Sequence, residues 1–152
     1  MADLTARSSQ AADRKFNRSE GSSRIKTFYL ARKIAHMKIA YWTLAVVFAL
    51  FALVQYNDPD PIQWILLYGG VAVHFGMAAT GKLYRLAVWL WLAAAVIWAA
   101  TLLPDFIDWI RMGEPSIVES MKAEQPWIEL TREFLGLVIA ALGCGFLLWK
   151  NR

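Results

Sequence analysis

Four carboxylates in two short segments are the side chains of this sequence best suited to chemistry. Asp58 and Asp60 lie in VQYNDPDPIQW (54–64), Glu129 and Glu133 in WIELTREFLGL (127–137). Ca²⁺ and Mg²⁺ favour carboxylate and carbonyl oxygens, so a place where Asp58, Asp60, Glu129 and Glu133 converge would suit a hard divalent cation. The spacing matches no EF-hand loop. A plainer reading accounts for the same residues. Asn57 stops one helix, Pro59 forces Asp58 into an extended conformation, and Asp60 caps the next helix with Pro61 at its first position, where a missing N–H costs nothing. In the second segment Arg132, three residues after Glu129, can pair with it. Glu129 and Glu133, four apart, share a helix face and repel unless something offsets them.

Other reactive side chains are few. His74 sits deep in an apolar run, and an ionisable group there is a functional candidate, for a haem or pigment ligand or a proton relay. Its plainer role is a hydrogen-bonded histidine inside a bundle. With two histidines in all, a multi-histidine zinc hydrolase is excluded. The single cysteine, Cys144, lies between Gly143 and Gly145 in another apolar run, so no intrachain disulfide can form. No nucleophile–base pair and no phosphate loop appear, which favours a non-catalytic protein.

The elements that position these residues follow from composition. Of the 152 residues 58% are hydrophobic and eight are tryptophans, against about 45–50% apolar residues in soluble domains. Four apolar windows, at residues 39–56, 62–80, 84–103 and 130–149, each approach the ~20 residues a helix needs to cross a bilayer. They lack the period-two alternation of a membrane β-barrel. The fold expected is therefore all-α, a four-transmembrane-helix bundle in contact with the lipid bilayer. Some 38 mostly polar residues precede the first window, so that window reads as a retained signal anchor rather than a cleaved signal peptide.

Charge sorts along the windows. Thirteen of the sixteen Lys and Arg fall in the N-terminal tail, the second connection and the C-terminus, whereas nine of the twelve Asp and Glu fall in the first and third connections and the start of the last span. By the positive-inside rule both termini are expected in the cytoplasm, as in a bacterial inner membrane or its equivalent. Asp58, Asp60, Glu129 and Glu133 then share the opposite face.

Residues 1–38 form a basic, polar tail, with 1–23 read as disordered by composition. Residues 24–38 mix Ile25, Phe28, Tyr29, Leu30 and Ile34 with basic residues, the pattern of an amphipathic interfacial helix on anionic headgroups. Ordinary positive-inside topology explains the same charges, and nucleic acid is not needed as a partner. Small residues at Ala72, Gly76 and Thr80 and at Gly136, Ala140 and Cys144 mark expected helix seams. Tyr84, Trp91 and Trp98, seven apart, make an aromatic stripe that either faces lipid or core, or packs on a partner or cofactor. In the third connection Glu114-Pro115 can start a short surface helix, with Ile117, Val118 and Met121 toward the membrane and Glu119 and Lys122 toward water.

The residues Gln55, Asn57, Asp58, Pro59, Asp60, Pro61, Trp64 and Tyr68, followed by Glu129, Arg132, Glu133, Gly136 and Leu137, resemble the transmembrane protein 220 family. The resemblance covers about residues 39–149. It implies a small multi-helix membrane protein with its two signature segments close in space, and it implies no activity. Two functions are therefore carried forward. One is a non-catalytic accessory subunit, docking its basic tail and aromatic stripe on other membrane protein subunits, for instance of a respiratory or photosynthetic assembly. The other is a divalent-cation protein, using the outer carboxylates for transport, sensing or metal-assisted hydrolysis.

Overall fold

In the computed structural model, residues 2–118 and 125–152 are described, with side chains from Lys26 onward. They form four α-helices: α1 (Ala2–Val54), α2 (Pro61–Ala79), α3 (Arg85–Arg111) and α4 (Pro126–Lys150). All four contain a window long and apolar enough to cross a membrane. The chain divides into two compact units, Met1–Ile39 and Ala40–Arg152.

In the first unit α1 already begins at Ala2, so the tail expected to be disordered over 1–23 is helical, and the helix expected at 24–38 is part of it. No proline interrupts residues 1–58, and helix propensity in this stretch is not broken until the turn that follows. From Lys26 to Lys38, Phe28, Tyr29, Leu30 and Ile34 are all exposed.

In the second unit, α1 contributes a stripe of Tyr41, Ala45, Phe48 and Ala52, buried at helical spacing. Phe48 stacks on Phe75 of α2, ring centroids 5.6 Å apart and planes 14° from parallel. Phe51 meets Tyr68 edge-on, and Tyr41 and Phe75 both contact Phe146 of α4. Aromatic rings supply much of this packing because lipid is as apolar as the core, leaving dispersion and polar contacts to hold helices together. At one end the Asn151 amide donates to the Tyr41 hydroxyl at 3.1 Å, tying the last helix to the start of the first span.

The buried face of α2 is Trp64, Leu67, Tyr68, Val71, His74, Phe75, Ala78 and Ala79. That corrects the seam expected along Ala72, Gly76 and Thr80: the large aromatics occupy the contact face, and Thr80 is exposed at the helix end. On α4 the expected seam is present, with Gly136, Ala140 and Cys144 all buried.

Two helix ends close in the same way. After α2, Gly81 takes φ +76°, and the N–H groups of Gly81 and Lys82 donate to the carbonyls of Ala78 and Met77 at 3.1 and 2.8 Å. After α3, Gly113 takes φ +87°, with Gly113 and Glu114 donating to Ile110 and Trp109. Both are Schellman turns, in which a left-handed glycine lets the chain satisfy the last carbonyls of a helix.

α3 runs past Pro104 to Arg111 rather than ending at residue 103. The proline forfeits one backbone bond, but the added turns pack Phe106 onto Phe134 of α4, with centroids 4.3 Å apart. The surface helix expected to start at Glu114-Pro115 is also corrected, because residues 114–118 are not helical. Glu114 itself has φ +55°, and the Pro115 carbonyl accepts from the Trp109 indole at 3.0 Å. The remainder of that expectation, Glu119, Met121 and Lys122, lies outside the described residues.

Candidate binding site at the carboxylate end

The turn between α1 and α2 is built from its own sequence. α1 tightens into a 3₁₀ turn over Gln55–Asn57, and Asp58, preceding Pro59, is extended with ψ 151°. Asp60 stands at the N-cap of α2 with Pro61 behind it, but its side chain makes no capping bond. Instead the Asp58 carboxylate accepts from the Asp60 N–H at 3.1 Å. The capping role expected of Asp60 thus passes to a local turn made by Asp58, which fixes the direction of that carboxylate.

Two stripes face each other across this end. On α2, Asp60, Trp64 and Tyr68 are spaced by four, and on α4, Glu129, Arg132, Glu133 and Gly136 follow the same helical rhythm. Gly136 lets them close: a Cβ there would collide with the Tyr68 hydroxyl. Between the stripes lies a cavity of about 190 Å³ lined by Gln55, Asp58, Trp64, Tyr68, Glu129, Arg132 and Glu133. A second hollow shares Glu129 and Glu133 and adds Asp60, Gln63 and Trp98. Glu133 lies within electrostatic reach of Glu129, Asp58 and Asp60. Of the four carboxylates, expected to converge from segments about 70 residues apart, Asp58, Glu129 and Glu133 line one cavity and Asp60 lines the adjoining hollow.

The back of the site is aromatic. Trp64 stacks on Tyr68 at 6.0 Å and on Trp98 at 4.8 Å. Only 2% of Trp64 is exposed, and its indole N–H, beside the Glu133 carboxylate, makes no hydrogen bond of good geometry. A buried donor left without a well-placed acceptor costs roughly 1–3 kcal/mol.

Among the described residues, no group of three or more His, Cys, Asp or Glu side chains is arranged to hold a metal ion. Asp58, Asp60, Glu129 and Glu133, expected as a ligand set, are not drawn onto one point in this geometry. They line the walls of adjoining hollows rather than surrounding one point, and Arg132 places a positive charge among them.

One further expectation changes, and the hydrogen-bonded bundle role read for His74 is the geometry present. Trp91 and Trp98 do not form an outward docking face. The Trp91 indole donates to the Leu67 carbonyl of α2 at 3.0 Å and fills the space left by Gly70, while Trp98 is a wall of the site. Tyr84 alone of that stripe is largely exposed. Seven-residue spacing marks one face of a helix but does not say whether the face turns in or out. His74 lies away from the carboxylates: its Nδ1 donates to the Gly70 carbonyl at 2.5 Å, its ring is 5.6 Å from Trp91, and 7% of it is exposed.

Gln55, Gln63 and Tyr68 were not identified as site residues from sequence. The signal for Tyr68 was present in the i, i+4 step from Asp60 through Trp64, which puts a ring beneath the carboxylates. Gln55 was marked only by its place in the signature run, and it lines the cavity from the 3₁₀ turn.

No curated protein and no solved structure matches the chain. The family described as "Transmembrane family 220, helix" matches residues 47–149, a stretch that contains both stripes and the cavity between them. This integral membrane protein belongs to transmembrane family 220.

Proposed function

We propose that this is a non-catalytic membrane protein whose working part is the cavity at the carboxylate end, where it holds a positively charged organic group. The observation that carries this reading is the meeting of Asp58, Glu129 and Glu133 over the Trp64–Tyr68 stack. Carboxylates offset an ammonium charge and accept its hydrogen bonds, and aromatic faces attract it further. A divalent metal is the poorer fit, since it needs several oxygens around one point.

The test is thermal unfolding of the full chain in mild detergent with ethanolamine, Mg²⁺ or Ca²⁺, and with NaCl at matched ionic strength. Ethanolamine is expected to raise the unfolding temperature, and Asp58→Asn with Glu133→Gln to abolish the rise. Stabilisation by the divalent ions alone would overturn this reading in favour of a metal site.

A second reading, an accessory subunit docked on a larger membrane assembly, is favoured by the exposed Phe28, Tyr29, Leu30 and Ile34 beside Lys26, Arg32 and Lys33. Such a segment suits an anionic membrane surface or a partner's flank. Both termini would then lie in the cytoplasm, as the charge distribution argues. A native gel of solubilised membranes tests it, and a particle of monomer mass at every detergent strength would count against it.

A further inference from the structure

The polar cavity does not end at its carboxylates. Gln55, Tyr68 and Arg132 also line a groove of about 240 Å³ whose other walls are Phe51, Val54, Leu135, Gly136 and Ile139. Val54 and Ile139 are exposed on the apolar flank of α1 and α4, a surface suited to lipid chains. The two hollows share three residues and so adjoin each other.

We propose that cavity and groove together form a site for a phospholipid with a primary ammonium head, a proposal that rests on the cation-holding reading above. The order of chemistry along the site matches the order of groups in such a lipid. Carboxylates stand at the far end, where the ammonium would sit. The Arg132 guanidinium, with five donors able to serve more than one acceptor, stands at the junction, where the phosphate would pass. Apolar side chains follow, where the acyl chain would lie.

An independent observation points the same way. The Trp64 N–H, which has only the poorly placed Glu133 carboxylate near it, can only donate, so a bare cation leaves it without a well-placed acceptor. A ligand that brings an acceptor oxygen beside its positive charge answers both the carboxylates and the indole. The same chemistry selects among lipids. A glycerol head carries no positive charge for Asp58, Glu129 and Glu133, and a quaternary ammonium has no N–H to give them.

Native mass spectrometry of the full chain in mild detergent tests this, with phosphatidylethanolamine, phosphatidylglycerol, phosphatidylcholine and water-soluble O-phosphoethanolamine titrated separately. Variants qualify only if the Cys144 thiol, buried in the native bundle, remains protected. One phosphatidylethanolamine per chain is expected, bound roughly tenfold or more tightly than phosphatidylglycerol, as charge-assisted hydrogen bonds would give. Asp58→Asn with Glu133→Gln should erase the preference, and Trp64→Phe should weaken it. Ile139→Trp, which fills the groove, should weaken the lipid and spare O-phosphoethanolamine. Equal binding of phosphatidylglycerol would overturn the proposal. If O-phosphoethanolamine binds as tightly as the lipid, the groove contributes nothing and the lipid site falls while the cation-holding reading stands. If no ammonium compound binds, both fall.

Discussion

Replacing Gly70 by alanine should damage the bundle far more than the same change at Gly69, its neighbour on α2. A Cβ at Gly70 would land inside the Trp91 ring, whereas a Cβ at Gly69 meets nothing within 4 Å. To admit the methyl group Trp91 must move, giving up its 3.0 Å bond to the Leu67 carbonyl and its contact with His74. An interhelical hydrogen bond in a membrane protein is worth about 0.6–2 kcal/mol, and overpacking adds about 1–3 kcal/mol. Alanine returns about 1 kcal/mol of helix propensity. Gly70→Ala is therefore expected to cost about 1–4 kcal/mol, and Gly69→Ala to be neutral or stabilising by up to about 1 kcal/mol. Cys144, fully buried on α4, supplies the assay: its modification by a maleimide across an SDS titration reports opening of the bundle. Adding Trp91→Leu to Gly70→Ala should recover part of the loss, because the clash disappears with the ring. If the two glycine variants open at the same SDS fraction, the close approach of α3 to α2 is wrong.

Two more outcomes follow from particular residues. Thr131 is fully buried on α4 and its hydroxyl has no partner, so Thr131→Val should stabilise the bundle by roughly 1–2 kcal/mol in the same titration; a loss of that size would mean the hydroxyl is bonded. In a Cys144→Ser background, Gln63→Cys should react with an impermeant maleimide from the non-cytoplasmic side of intact cells and Arg152→Cys should not, and the reverse pattern would refute the charge-based orientation.

The four spans were legible because crossing lipid demands length and apolarity, both one-dimensional properties. The Asp-Pro turn was legible because proline constrains its neighbour directly, although which aspartate side chain would accept a backbone N–H there was not: Asp58 and Asp60 are chemically alike, and only the turn's geometry made Asp58 the acceptor while Asp60 holds the N-cap. The apolar window stopped at residue 103, but α3 runs on past Pro104, where the packing of Phe106 on Phe134 offsets the lost backbone bond.

Periodicity found the faces of α2 and α3 without deciding their direction. Small residues suggested one face of α2, yet the aromatic face is buried, since large rings gain more from contact than a stripe of methyl groups. Trp91 and Trp98 turned inward for a reason no single helix contains: Gly70 leaves a hollow for one, and Trp64 offers a ring for the other. For the site, sequence supplied the carboxylates, their charge and the two segments. Only the tertiary structure decided that they line adjoining hollows, that Trp64 lies buried beside them, and that an apolar groove adjoins the cavity. Residues about 70 positions apart can share a site only when helices bring them together, and helix packing is settled by contacts that the linear pattern does not record.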